Sequence, residues 1–113
     1  LLNNSRDQPT ILFMHHPPFI ISLGEKSYFE YDRPDSIKEF YDLIQNYNQV
    51  IGLFCGHIHR TYNAMLGNIS ASIMPSIALD LSQEKVPNKL DTPVYHLHKL
   101  HDGLGYETEI RHL

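Results

Sequence analysis

In this 113-residue chain, histidine is the residue type whose number and spacing indicate a candidate functional site. The chain contains eight histidines, and four of them form two tight groups, His15-His16 and His57-Ile58-His59. Neutral imidazole is the commonest metal ligand in proteins. On an extended chain, two residues separated by one position point to the same side. The pair His15-His16 alone is equally compatible with two polar residues that simply end a strand, and the spacing of His57 and His59 alone often occurs by chance.

Each histidine group follows a short apolar run that predicts a buried strand. Thr10 to Met14 precedes the first group and Val50 to Cys55 precedes the second. Both runs have the length of a strand that is buried on both faces. Pro17 and Pro18 end the first strand, because proline donates no hydrogen bond to the ladder. Gly56 lies between the second strand and its histidines, where a glycine lets the chain turn and approach an ion closely.

A helix is predicted between these two strands. Arg33 to Ser36 introduces it, with Asp35 or Ser36 as the cap, and apolar residues recur every three or four positions as far as Tyr47. Strand, helix and strand make a βαβ unit with parallel strands. Both histidine groups then lie at the carboxyl ends of parallel strands, which is where open α/β sheets bind their ligands.

The remainder of the chain predicts loops and antiparallel strands. Residues 19–33 have no sustained period and are expected to form a long loop, and residues 83–92 a polar surface loop. Short apolar runs predict strands at 62–66, 69–74, 94–100 and 104–111, joined by hairpins into an antiparallel meander. His96 and His98 alternate with apolar residues, so we expect them to form a solvent-facing stripe.

Composition excludes several classes of protein. Nine basic against thirteen acidic residues give a formal net charge of −4, which argues against a general nucleic-acid or anionic-membrane binder. The only cysteine, Cys55, rules out an internal disulfide framework and is expected to be a buried, inert thiol. The apolar runs are much shorter than the ~20 residues of a transmembrane helix. With no visible signal peptide, the expected location is cytoplasmic.

The two histidine groups, in their strand contexts, resemble the calcineurin-like metallophosphoesterases. The elements that carry this resemblance are Met14 to Phe19, Phe54 to Arg60, Met74-Pro75-Ser76 and the closing hairpin from Tyr95 to Gly103. The chain is most similar to the class III cyclic nucleotide phosphodiesterases and related glycerophosphodiesterases, from about Pro9 onward. The resemblance implies an α/β fold that is the C-terminal half of a four-layer α/β/β/α sandwich, with a site for two metal ions.

The resemblance also implies roles for four histidines. His15 and His57 would share one divalent ion and His59 would hold the neighbouring one, with Mn, Fe or Zn as the ions. His16 is the candidate catalytic residue, which would either contact the substrate or orient His15 without binding the ion itself. The implied activity is metal-dependent hydrolysis of a small-molecule phosphodiester, with 3',5'-cyclic AMP as the favoured substrate class.

The N-terminal half of the family pattern has no counterpart in this sequence. Its Asp-x-His motif, bridging aspartate and Asn-His pair are absent, so residues 1–113 are expected to be the C-terminal portion of a single phosphoesterase domain. We therefore expect this chain alone to be inactive and to bind one metal ion or none. We also expect it to associate with the missing half or to form a homo-oligomer, because its sheet would expose apolar surface.

Several functions remain open at this stage. One is a hydrolase of glycerophosphodiesters or other phosphoesters, which would use the same metal chemistry on a different substrate. Another is a non-catalytic scaffold that uses the same fold for protein contacts. A third is a module that binds a single zinc ion through three histidines. Neither a nucleic acid nor a membrane is expected as a partner.

Overall fold

The computed structural model describes residues 1–28, 33–77, 93–102 and 105–112. After a 3-10 turn at Leu2–Asn4, the elements in chain order are β1 (Thr10–Phe13), β2 (Ile21–Leu23), β3 (Lys26–Tyr28), α1 (Pro34–Ile44), β4 (Val50–Cys55), β5 (Tyr62–Leu66), β6 (Ile69–Ile73), β7 (Val94–His101) and β8 (Gly105–His112). The strands and the helix together confirm an α/β fold. The predicted loop at 83–92 lies outside the described residues.

The central sheet has four strands in the order β1-β4-β6-β5. β1 and β4 are parallel, as the predicted βαβ unit requires. The predicted antiparallel meander is wrong for β6, which pairs parallel to β4 and antiparallel to β5. β6 is almost entirely buried and takes an interior position, whereas β5 alternates between exposed and half-buried residues and lies at the edge.

The helix α1 begins at Pro34, one residue before Asp35 and two before Ser36, the two predicted caps. Arg33 precedes it and makes no side-chain capping bond, so the prediction of Asp35 or Ser36 as the cap is wrong. Pro34 opens the helix instead, because its fixed φ and missing N–H suit the first helical position. Asp35 lies in the first turn, where a carboxylate interacts favourably with the helix dipole. No helix among the described residues is long and apolar enough to cross a membrane, and the cytoplasmic location stays a prediction.

A short hairpin replaces most of the loop predicted at 19–33. β2 and β3 pair antiparallel, and Gly24 makes the turn between them with a φ of +61°. Two strands of three residues are too short to produce a visible period in the sequence. The hairpin is tied to the edge of the main sheet, since Ser22 donates its backbone N–H to the Tyr62 hydroxyl at 3.2 Å. Ile21 is fully buried there.

The β7–β8 hairpin packs across one face of the central sheet through aromatic rings. The His98 ring stacks on Phe54 with centroids 3.8 Å apart and planes 11° apart. Tyr106 meets the same phenylalanine edge-on at 5.2 Å. A β-carbon added to Gly52 would lie 2.8 Å from the Tyr106 ring. The glycine in β4 therefore leaves the space in which the tyrosine ring lies against the sheet.

The prediction that His96 and His98 face solvent is wrong. Both are half-buried, and neither ring nitrogen of His96 has a hydrogen-bond partner among the described residues. The opposite face of the hairpin bears ion pairs such as Lys99 with Glu107, at 3.4 Å, so the histidine face is the one turned towards the sheet. Desolvation lowers the pKa of both histidines, and the neighbouring charge of His98 lowers the pKa of His96 further.

We expect Gly52→Ala to loosen the hairpin, because the new methyl group would overlap the Tyr106 ring. The free energy of unfolding should fall by about 1–3 kcal/mol, as for other overpacked sites. Gly105→Ala is the matched control, since no atom of the described residues, chain neighbours aside, lies within 4 Å of its added carbon, and it should change stability by less than about 0.5 kcal/mol. In a Tyr106→Ala background Gly52→Ala should cost little, and an unchanged cost there would refute the role of the ring. Urea unfolding measures all four variants.

We expect the stability of the fold to decrease as the pH falls below about 6.5, the ordinary pKa of histidine. His96 and His98 have lowered pKa values in the folded state, so the unfolded chain binds protons first and is favoured in acid. Above that pH both states are neutral at these positions and the dependence disappears. His96→Phe should flatten the profile, whereas His112→Gln, at an exposed position, should leave it unchanged. Unfolding followed by circular dichroism from pH 5 to about pH 8 provides the test.

Candidate metal centre

Parallel backbone pairing extends beyond β1 and β4 and joins the two histidine loops. The Met14 N–H donates to the Phe54 carbonyl at 3.0 Å, and the Gly56 N–H donates to the His15 carbonyl at the same distance. The two chains therefore leave the carboxyl edge of the sheet side by side. This hydrogen bond places His15 next to the loop that bears His57, although 42 positions separate these histidines in the sequence.

His15, His16 and His57 form one cluster at this edge. The His57 Nδ1 and the His15 Nε2 are 3.3 Å apart, and the rings of His16 and His57 have centroids 4.2 Å apart. One nitrogen from each of the three rings lies within 4.8 Å of the other two. His15 and His16 are exposed and His57 is half-buried, so the cluster is open to solvent. In the described part of the chain, no carboxylate or thiol joins the group.

One pair of the cluster has the spacing of two ligands on a transition-metal ion. Two nitrogens on a tetrahedral zinc ion, each bonded at about 2.0–2.1 Å, lie about 3.3 Å apart, and the closest nitrogens of His15 and His57 have that separation. Neutral imidazoles suit Zn²⁺ and related ions, whereas Mg²⁺ and Ca²⁺ prefer oxygen ligands. Three imidazoles on one side also leave the solvent side available for a water molecule or a substrate oxygen.

His59 lies outside this cluster. It is half-buried, and its Nδ1 is buried without a hydrogen-bond partner among the residues that the structure describes. An unpaired buried ring nitrogen is costly unless a ligand or a water molecule satisfies it. The structure thus separates His59 from the pair His15 and His57, and brings His16 to that pair instead. Metal binding by these four histidines stays a prediction.

The loop that bears His57 and His59 has an unusual backbone. His57 has a φ of +74° and His59 a φ of +54°, a left-handed conformation that costs an ordinary residue about 1–2 kcal/mol. The expectation that Gly56 provides the turn is wrong, because its φ is not positive and an added β-carbon would make only an ordinary contact with His15 at 3.6 Å. The histidines themselves make the turn, and such strain is found preferentially at functional sites.

A cavity of about 440 Å³ adjoins the cluster, with His15 as part of its wall. It lies between the central sheet and the β7–β8 hairpin, and its walls include Phe54, Met74, His96 and His98. Its walls also include Cys55, which is buried as predicted. Burial raises the pKa of this thiol to about 12, so at neutral pH the thiol is protonated and does not act as a nucleophile or a metal ligand.

The chain is similar to three curated phosphodiesterases. They are a probable glycerophosphodiester phosphodiesterase of Arcobacter nitrofigilis (29% identical over 117 residues), a 3',5'-cyclic adenosine monophosphate phosphodiesterase of Vibrio vulnificus (23% over 114 residues) and a probable cyclic nucleotide phosphodiesterase of Rhodopseudomonas palustris (29% over 94 residues). These alignments cover 99%, 99% and 79% of this chain, and 42%, 40% and 33% of the relatives. No family model matches the chain.

The relatives confirm the similarity to phosphodiesterases that the histidine motifs indicate. The chain spans about two fifths, or less, of the length of each relative. It therefore matches only a portion of each of these proteins, and their complete activity does not transfer to these 113 residues without further support.

We expect His57→Asn to be more stable than His57→Ala by about 1 kcal/mol. Both substitutions remove the imidazole, but asparagine tolerates a positive φ better than alanine does. The same pair of substitutions at His16, where φ is not positive, should differ by less than about 0.5 kcal/mol. Chemical unfolding of the four variants measures both differences. An equal difference at the two positions would show that backbone strain at His57 is not the cause.

Proposed function

We propose that this chain supplies the C-terminal portion of a metal-dependent phosphodiesterase domain. The observation that best supports this function is the approach of His15 to His57, at a nitrogen-to-nitrogen distance of 3.3 Å, at the carboxyl ends of adjacent parallel strands. The similarity of nearly the whole chain to named phosphodiesterases supports the same activity. In the proposed domain the strands β1, β4, β6 and β5 belong to a four-layer α/β/β/α sandwich.

Each histidine has a proposed role in this domain. His15 and His57 hold one divalent ion, and His59, which lies outside their cluster, holds a neighbouring ion. Divalent ions bound here would supply Lewis-acid chemistry that polarises a phosphodiester and activates a water molecule. His16 is exposed and lies beside His57, so its ring can contact the substrate and give a proton to the leaving oxygen.

The proposed substrate is a small phosphodiester, with cyclic nucleotides as the favoured class. Two of the three relatives are named as cyclic nucleotide phosphodiesterases and the third as a glycerophosphodiester phosphodiesterase. All of these substrates share a phosphodiester group that divalent ions can hold. Glycerophosphodiesters are therefore the alternative substrate of the same proposed site.

We further propose that the apolar surface beside the site is covered in the complete protein, by the remainder of the domain or by a second copy. Phe13, next to the cluster in β1, has 75% of its surface exposed, and Leu100 in the hairpin has 64% exposed. A soluble monomer rarely leaves several large side chains uncovered in one region. Size-exclusion chromatography with light scattering should detect association, and a stable monomer would contradict self-association.

A single-ion zinc module is the second candidate function. It is favoured by the convergence of three neutral imidazoles from His15, His16 and His57 without any carboxylate among the described residues. Without a bridging carboxylate, nothing in the described part offsets the repulsion between two divalent ions. A metal-to-protein ratio of one in the active, complete protein would support this module over a centre with two ions.

The proposed activity is tested by assaying this chain beside a version extended at its N-terminus by any upstream coding sequence. We expect the 113-residue chain to hydrolyse bis(4-nitrophenyl) phosphate and cyclic AMP with added Mn²⁺ far more slowly than the extended protein. In the extended protein His57→Asn should reduce turnover by at least ~100-fold, because it removes an ion ligand while tolerating the local backbone. Equal turnover by the two proteins, or full activity of His57→Asn, would contradict the proposal.

A further inference from the structure

We propose that Ile58 is a positioning residue for the metal site, and that its burial holds His57 and His59 in their left-handed conformations. The inference rests on the proposed role of these histidines as metal ligands. Ile58 is the central residue of the His57-Ile58-His59 segment, and its aliphatic side chain cannot itself ligate an ion. Its effect on the site is therefore exerted through the backbone on either side of it.

Local features of this segment explain its conformation only in part. Both histidines have a positive φ, at +74° and +54°, a region that histidine enters more often than most residues but far less readily than glycine. The Ile58 N–H to Gly56 carbonyl bond closes a tight three-residue turn around His57, and such a turn is itself strained. Conformations of this kind persist only where the surrounding structure imposes them. Some contact outside the two imidazoles must therefore hold the segment.

Ile58 provides that contact. Its side chain is only 8% exposed and belongs to the hydrophobic core cluster that contains Leu53, Cys55 and Ile73. Its backbone N–H donates to the Gly56 carbonyl at 3.0 Å. By contrast, His57 and His59 are only half-buried. The segment is thus fixed at its middle residue, while its two histidines project on either side of that anchor.

The anchor also explains why the two histidines diverge. The positive φ at His57 and the positive φ at His59 lie on either side of Ile58 in the chain. With Ile58 held in the core, His57 is directed to His15, at 3.3 Å, and His59 lies outside that pair. Without the anchor, both histidines would relax to negative φ values, and the distance between His57 and His15 would no longer be fixed.

The test compares Ile58→Ala with Ile69→Ala in the intact chain, and includes the conservative variant Ile58→Val. Ile69 is the matched control, because it is 4% exposed and belongs to the same core cluster. It is the first residue of β6, whereas the last residue of that strand, Ile73, is the one paired with Cys55. Co²⁺ is the probe, since its visible absorption reports the number and type of its ligands. All variants are measured below the midpoint of their thermal unfolding.

We expect Ile58→Ala to weaken Co²⁺ binding by at least about 10-fold, the usual effect of losing a residue that orients ligands. Ile69→Ala should weaken it by less than about 2-fold even where its loss of thermal stability is equal, and Ile58→Val should restore most of the affinity. If Ile58→Ala and Ile69→Ala weaken Co²⁺ binding equally, Ile58 acts only as one of the core residues, and the inference is overturned. Unchanged binding by Ile58→Ala would overturn it as well.

A second measurement separates this inference from the proposed function. Two scalar couplings of the α proton, to the amide proton and to the preceding carbonyl carbon, together report the φ angles of His57 and His59 by NMR without any metal. If the unsubstituted chain binds no Co²⁺, its histidines do not hold an ion without the rest of the domain, and the couplings still decide the role of Ile58. They should change to values typical of negative φ in Ile58→Ala and stay unchanged in Ile69→Ala. Unchanged couplings in Ile58→Ala would refute the anchor.

Discussion

The parallel register between β1 and β4 is the constraint on which the candidate site depends. Phe13 is paired with Phe54, and the backbone bond from Gly56 to His15 continues that register beyond both strands. A slip of one residue would turn every side chain of β1 to the opposite face, and His15 would then point away from His57. Because β4 is almost wholly buried, burial fixes the register, and the register fixes the histidines.

The second constraint is the balance between strain and burial in the segment after β4. Two left-handed histidines cost about 1–2 kcal/mol each, whereas full burial of an isoleucine contributes about 1.5–3 kcal/mol. The cost of the strain and the contribution of burial are similar in size, so the burial of Ile58 can offset much of the strain. Packing also constrains the β7–β8 hairpin, where the lack of a side chain at Gly52 leaves room for the Tyr106 ring.

The features that follow from the sequence are local or strongly periodic. Apolar spacing predicts the buried strand at Val50–Cys55 and the presence of a helix after Arg33, although that spacing continues to Tyr47 and the helix ends at Ile44. Features that depend on packing between segments distant in the sequence were not predicted. The alternation of polar and apolar residues around His96 does not indicate which face of the hairpin meets the sheet. The position of β6 beside β4 likewise depends on burial across the whole sheet. No pattern in the sequence indicates the positive φ of His57 either.

The separation of 42 positions between His15 and His57 couples ion binding to folding. Closing so long a stretch of chain costs entropy, so the unfolded ensemble holds these two imidazoles together only rarely. An ion bound to the native pair would then shift the folding equilibrium by mass action, by about 2.7 kcal/mol at a free concentration 100 times its dissociation constant. Metal supply in the surroundings of the protein would in this way set how much of the chain is folded.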